Sequence, residues 1–167
     1  MFVNSWHMND QESLAMWKLY DLSGSGLAVV SSFERLRDSL VENKEEFRIG
    51  CVQYINYRES EKWLGNYFDP FMHKTIELSH EQEVRVIVWT FLDNWHDLWQ
   101  SLSANRNRIH QDPPLGISLK CDLDRLIDYI VVSPTAPEWV AHLIRDYCQE
   151  AIEKEVRSSV LASEPFF

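Results

Sequence analysis

What this chain lacks removes several chemistries at once. Its three cysteines, Cys51, Cys121 and Cys148, lie far apart and form no Cys-x-x-Cys pair, so neither a zinc ribbon nor a disulfide framework is expected. Buried free thiols in a reducing cytoplasm are the expectation instead. No run approaches the roughly 20 apolar residues that span a bilayer. Residues 1–10 lack the basic start and apolar centre of a secretory signal, which predicts a cytoplasmic protein. Basic residues are also scarce: 16 Lys and Arg face 26 Asp and Glu, giving a net charge of -10 and a pI near 5.0. Without a basic cluster, such a surface repels phosphate backbones and argues against nucleic-acid binding.

Catalytic signatures are missing too. None of the six histidines stands in a His-Glu-x-x-His arrangement, and no metal site is expected. No Gly-x-Ser-x-Gly elbow occurs, so serine-hydrolase chemistry has no support. Gly24-Ser25-Gly26 looks like the start of a phosphate-cradling loop, but it precedes a strand instead of opening a helix. It reads as a helix stop and turn. No internal repeat or low-complexity tract is present.

What is there suits a globular fold. The 167 residues are 45% hydrophobic and 13% aromatic, with seven tryptophans. That is most simply one domain, 1–167, with a substantial core. Strands and helices alternate. Strands are expected at Phe2–His7, Leu27–Val30, 49–57, 83–90, 117–119 and 126–132, with an edge strand at 156–160. Helices are expected at 12–20, from a Ser31/Glu34 capping box through Leu40, near Phe71, at 93–104, and from a Thr135/Glu138 capping box to about Lys154. The last helix should bury Trp139, Val140, Leu143, Ile144, Tyr147 and Ala151. Residues 105–115, with Asn-Arg-Asn-Arg and a Pro pair, read as a flexible loop. The class is α+β, with a central, mostly antiparallel or mixed sheet and flanking helices.

The segment 80–92 carries the strongest pattern. Glu81, Glu83 and Arg85 stand at every second position before an apolar, β-branched run. On a strand these three would share one face while Val84, Val86 and Val88 share the other. Such a row is either an ion ladder or a site. As a site, one carboxylate could stabilise positive charge at a sugar carbon and the other position a nucleophile. His7 ends the first strand beside Trp6, where a polar ring could line a cleft or simply cap the core. His73 and His80 flank the Glu-x-Glu segment. Trp63, Trp95 and Trp99 lie in polar surroundings and would mark a partner surface if exposed together.

Several of these pieces resemble one bacterial family, domain of unknown function 2971. The resemblance rests on Asn4-Ser5-Trp6-His7-Met8-Asn9, Glu12-Ser13-x-Ala15-Met16-Trp17-Lys18-Leu19-Tyr20 and Gly26-Leu27-Ala28-Val29. It continues through Ile49-Gly50-x-Val52-x-Tyr54, Pro70-Phe71-x-His73-Lys74 and His80-Glu81-x-Glu83-x-Arg85. Val131-Val132-Ser133-Pro134-x-Ala136-Pro137-x-Trp139 completes it. The Glu-x-Glu-x-Arg strand in turn looks like the acidic motif of ADP-ribosyltransferases, which split NAD at the nicotinamide–ribose bond. The resemblance thus implies that Glu83 holds the ribose and stabilises the oxocarbenium-like state, and that Glu81 addresses the acceptor. Trp6, His7 and Arg85 would contact NAD, in a toxin or defence setting. Relatives usually carry an upstream aromatic-Arg-Tyr segment, and this sequence starts after it. That departure implies a partner chain or second copy completing the sheet, and keeps open a non-catalytic interaction module or a nucleotide sensor without turnover.

Overall fold

A computed structural model describes residues 1–58, 65–66, 68–88 and 116–163. The helix expected at 93–104, the loop at 105–115, and Trp63, Trp95 and Trp99 lie outside the described residues. The protein is α+β, as expected, with three small sheets among the described residues. It divides into two compact units, Met1–Met8 with Asn43–Leu119, and Asn9–Glu42 with Lys120–Phe167. No helix among the described residues is long and apolar enough to cross a membrane.

The first unit is built on a strand of β-branched residues. Strand β1 (Phe2–His7), β3 (Phe47–Cys51) and β6 (Glu83–Val88) form a sheet in the order β1-β6-β3, both pairings antiparallel. Val86, Ile87 and Val88 are nearly inaccessible, as expected where a central strand is covered on both faces. The continuous strand expected over 49–57 is instead two. β3 ends at Cys51, and β4 (Gln53–Ile55) pairs in parallel with β5 (His73–Thr75). Buried Val52 is the joint: its N–H donates to the Glu83 carbonyl at 2.8 Å, beyond the end of the β3–β6 ladder. The chain therefore leaves one sheet and enters another without an unpaired amide. Helix α3 (Asp69–Met72) opens with Pro70, which suits a first turn that needs no N–H.

The second unit alternates helices with a sheet of order β2-β7-β8. Helix α1 (Leu14–Tyr20) is capped by Ser13, whose hydroxyl accepts the Met16 N–H, and β2 (Leu27–Val30) runs antiparallel to β7 (Tyr129–Val132). Helix α2 (Phe33–Asp38) is capped by Ser32, one residue past the expected Ser31, and ends before Leu40. A single helical turn, α4 (Leu123–Leu126), is capped by Asp122 and occupies the start of the strand expected over 126–132. β8 (Val156–Ser158) lies at the sheet edge in parallel with β7. The strand expected at 117–119 does not form.

Helix α5 (Glu138–Ala151) follows β7 and corrects two expectations. Thr135 does not cap it; the Thr135 hydroxyl meets Ser133 Oγ at 3.1 Å, and Pro137 takes the cap position without a side-chain bond. The inward stripe is buried Val140, half-buried Ile144 and buried Cys148, the last two packed with Ile127 and Ile130. Trp139, Leu143, Tyr147 and Ala151, expected inside, are exposed. Both stripes repeat every four residues, so periodicity alone could not choose between them. Of the thiols only Cys148 is buried, and burial raises its pKa; Cys51 is exposed.

Gly24-Ser25-Gly26 forms the turn that the sequence predicts between α1 and β2. Asp21, at the end of α1, accepts the N–H of Ser25 at 3.1 Å and of Gly26 at 3.0 Å. The chain's own carboxylate thus occupies the amides that a phosphate would need. Gly24 has φ +66°, and a Cβ on Gly26 would fall 2.9 Å from the Asp21 carboxylate, so the sequence needs glycine at both places. The Ser133 hydroxyl, then the Gly26 N–H, the Ser23 hydroxyl and the Ser25 N–H, hold the Asp21 carboxyl below its ordinary 3.8 despite partial burial. A depressed carboxyl stabilises the fold fully above its unfolded value and loses that contribution as pH falls through the folded one. Asp21→Ala should therefore be less stable by roughly 1–2 kcal/mol at pH 7. In chemical denaturation the gap should narrow as pH drops below 3.8. A gap that ignores pH would contradict this reading.

Candidate functional site

The residues expected to carry chemistry all fall in the first unit, and strand parity sorts them. Opposed residues of an antiparallel pair share a face. His7 is registered opposite Glu83, Ser5 and Gly50 opposite Arg85, and Trp6 and Cys51 opposite Val84. His7, Glu83 and Arg85 therefore share one face, while Trp6 lies on the other among the valines. There its indole donates to Asn4 Oδ1 at 2.6 Å. Trp6 does not join the site that the sequence assigned to it.

Glu81 also departs from the expected row. It closes a 3₁₀ turn, Ile76–Glu81, and Gln82 follows in the left-handed conformation at φ 41°. The alternation of Glu81 with Glu83 is therefore broken in the backbone. A side chain restores it: the Lys74 ammonium bridges both carboxylates, bonded to Glu81 Oε2 and 3.3 Å from Glu83 Oε1. Lys74 comes from β5, where it is registered opposite Tyr54 of β4. The Tyr54 hydroxyl accepts the Glu83 N–H at 2.8 Å. The Arg85 guanidinium holds the other Glu83 oxygen, through Nε at 2.7 Å and Nη2 at 2.5 Å, and donates from Nη1 to the Phe71 carbonyl.

The result is a compact four-membered network of two acids and two bases. The side chains of Glu81 and Glu83 are 10% exposed, those of Arg85 and Lys74 13% and 22%. Burial lowers the pKa of the Lys74 ammonium, and the bonds to Glu81 and Glu83 outweigh it, so the net shift is upward. Each carboxylate offsets the desolvation of a cation and the reverse, and losing Glu83 would leave Arg85 without its carboxylate in a poorly hydrated place. Both Glu83 oxygens are occupied, so a cationic centre could meet this carboxylate only by displacing a partner.

His7 adds the one incomplete valence of this group. Its Nδ1 lies 2.6 Å from the Glu81 carbonyl oxygen. A carbonyl only accepts, so Nδ1 bears the proton and Nε2 presents a lone pair. That Nε2 is buried and without a hydrogen-bond partner. A buried unpaired acceptor costs roughly 1–3 kcal/mol. Of the flanking histidines, His73 turns its Nδ1 to the Asp69 carbonyl at 2.7 Å instead of to the carboxylates, and His80 is exposed.

Sequence reasoning missed Lys74 and Tyr54. The available signal was Lys74 lying seven residues before Glu81, near enough to fold back once a turn intervened. The 3₁₀ turn Ile76–Glu81 supplies that turn, and the parallel β4–β5 pairing fixes Lys74 beside Tyr54. No group of three or more His, Cys, Asp or Glu suited to a metal ion occurs among the described residues. Comparison with protein-family models, curated proteins and solved structures returned no match.

Proposed function

We propose that this chain belongs to NAD-directed chemistry, ADP-ribosyl transfer or NAD cleavage in a bacterial toxin or defence setting, with Glu83 and Glu81 as its acidic pair. The observation that carries the reading is the meeting of both carboxylates on the Lys74 ammonium, on the sheet face that also holds His7. NAD would supply the scissile nicotinamide–ribose bond and a carbon that turns cationic as it breaks.

The fit to a dinucleotide is partial. His7 Nε2 is an unpaired acceptor, but it is buried, so a ligand hydroxyl or amine would reach it only if the surrounding side chains moved. Arg85 is committed to Glu83 and the Phe71 carbonyl, and Trp6 lies on the opposite face. What the chain's own residues can do is correspondingly narrow. Glu83 offers negative charge once the longer Lys74 contact gives way, and Glu81 keeps the displaced ammonium.

The decisive test is release of nicotinamide from NAD by the purified chain, alone and with candidate partners. Calorimetric titration with NAD should accompany it. Release should fall at least about a hundredfold in Glu81→Gln, the loss of an aimed charge typically costing that much, with far-UV circular dichroism unchanged. An NAD that is neither bound nor consumed defeats the transferase reading. The second reading, a non-catalytic interaction module, would then stand. Its support is that both Glu83 oxygens are already neutralised by basic side chains, as in a structural ion network.

A further inference from the structure

Helix α5 presents to solvent an apolar stripe that the fold of its own unit does not use. Trp139, Leu143 and Tyr147 recur every four residues and are 68%, 60% and 68% exposed. Large aromatic side chains arranged this way are what interfaces bury. Beside them runs a second stripe at the same spacing, Glu138, His142, Asp146 and Glu150, all exposed. The nearest cation of the helix is turned away: Arg145 is half-buried and donates to Ser158 of β8 at 2.9 Å. The exposed surface of α5 is thus an apolar seam with an acidic margin.

From this we infer a docking surface for a basic amphipathic helix of another protein, with aliphatic residues at i, i+4 and i+7 against the seam and Lys or Arg over the margin. Helices pair by burying such stripes, and flanking charges select the partner. Charge decides among occupants. A second copy would set one acidic margin near another on a chain of net charge -10, and an anionic membrane would be repelled likewise. This goes beyond the NAD reading and involves none of its residues.

The test uses the full chain and labelled synthetic 18-residue peptides, with anisotropy as readout: an amphipathic Leu/Lys helix, its scramble and a Leu/Glu counterpart. The Leu/Lys helix alone should bind. Leu143→Ser and Trp139→Ser should each weaken it about tenfold or more. The triple variant Glu138→Gln, Asp146→Asn, Glu150→Gln should weaken it and flatten its salt dependence. All these positions are exposed, so circular dichroism should remain wild-type. Equal binding of the scramble, indifference to Leu143→Ser, or no binding at all overturns the proposal. So does a wild-type dimer that Leu143→Ser dissolves, which would make the occupant a second copy.

Discussion

Glu83→Gln is expected to cost the first unit about 3–5 kcal/mol, the penalty for breaking a buried ion pair by removing one partner. The glutamine keeps the shape and an acceptor but leaves Arg85 facing a neutral amide and Lys74 with only Glu81. Glu81→Gln should cost clearly less, because Lys74 keeps Glu83 at 3.3 Å and Arg85 is untouched. Urea denaturation of both variants at neutral pH gives the comparison. If Glu83→Gln lies within about 0.5 kcal/mol of wild type, as ordinary surface changes do, the network does not hold the fold. The ordering matters for function as well. A carboxylate whose loss unfolds the protein cannot be judged by activity alone, whereas Glu81→Gln can.

The other large effect concerns Ile87, the most deeply buried large side chain among the described residues, at 2% exposure. Ile87→Ala removes three carbons from the central strand and should cost about 2–5 kcal/mol, the upper part applying if the neighbours cannot close on the space. Val3, its partner across the β1–β6 pairing, is 41% exposed. Val3→Ala should therefore stay below about 1 kcal/mol. Thermal melts of the two variants settle the matter. Similar losses would mean that β1, not β6, is the strand around which this unit packs.

Much of this architecture was legible because local chemistry agreed with tertiary demand. Phe2–His7 and Leu27–Val30 form as strands within the expected bounds, and the Gly-Ser-Gly turn stands where a helix must stop. The misreadings share a cause: the deciding partner lay far away in sequence. Val52 ends β3 because β5 offers β4 a different neighbour. Trp139, Leu143 and Tyr147 lost the interior to Val140, Ile144 and Cys148, an equally periodic set one residue on. Glu81 and Glu83 were found as a pair, yet their coupling runs through Lys74, which no spacing rule connects to them. Trp6 was grouped with His7 by adjacency in the chain. On a strand, adjacency is the relation that separates two side chains.

That last point extends to the whole of β6. Glu83, Arg85 and Ile87 occupy odd places, and Val84, Val86 and Val88 even ones, counted from the left-handed Gln82. The strand works as a parity code. Replacing a residue alters one symbol, but gaining or losing a single residue within it exchanges the two alphabets, sending valines to Lys74 and an arginine among the apolar side chains. Gln82 is the start mark from which the code is read. The charged network is thus specified less by which residues the strand contains than by an even or odd count from one bent peptide.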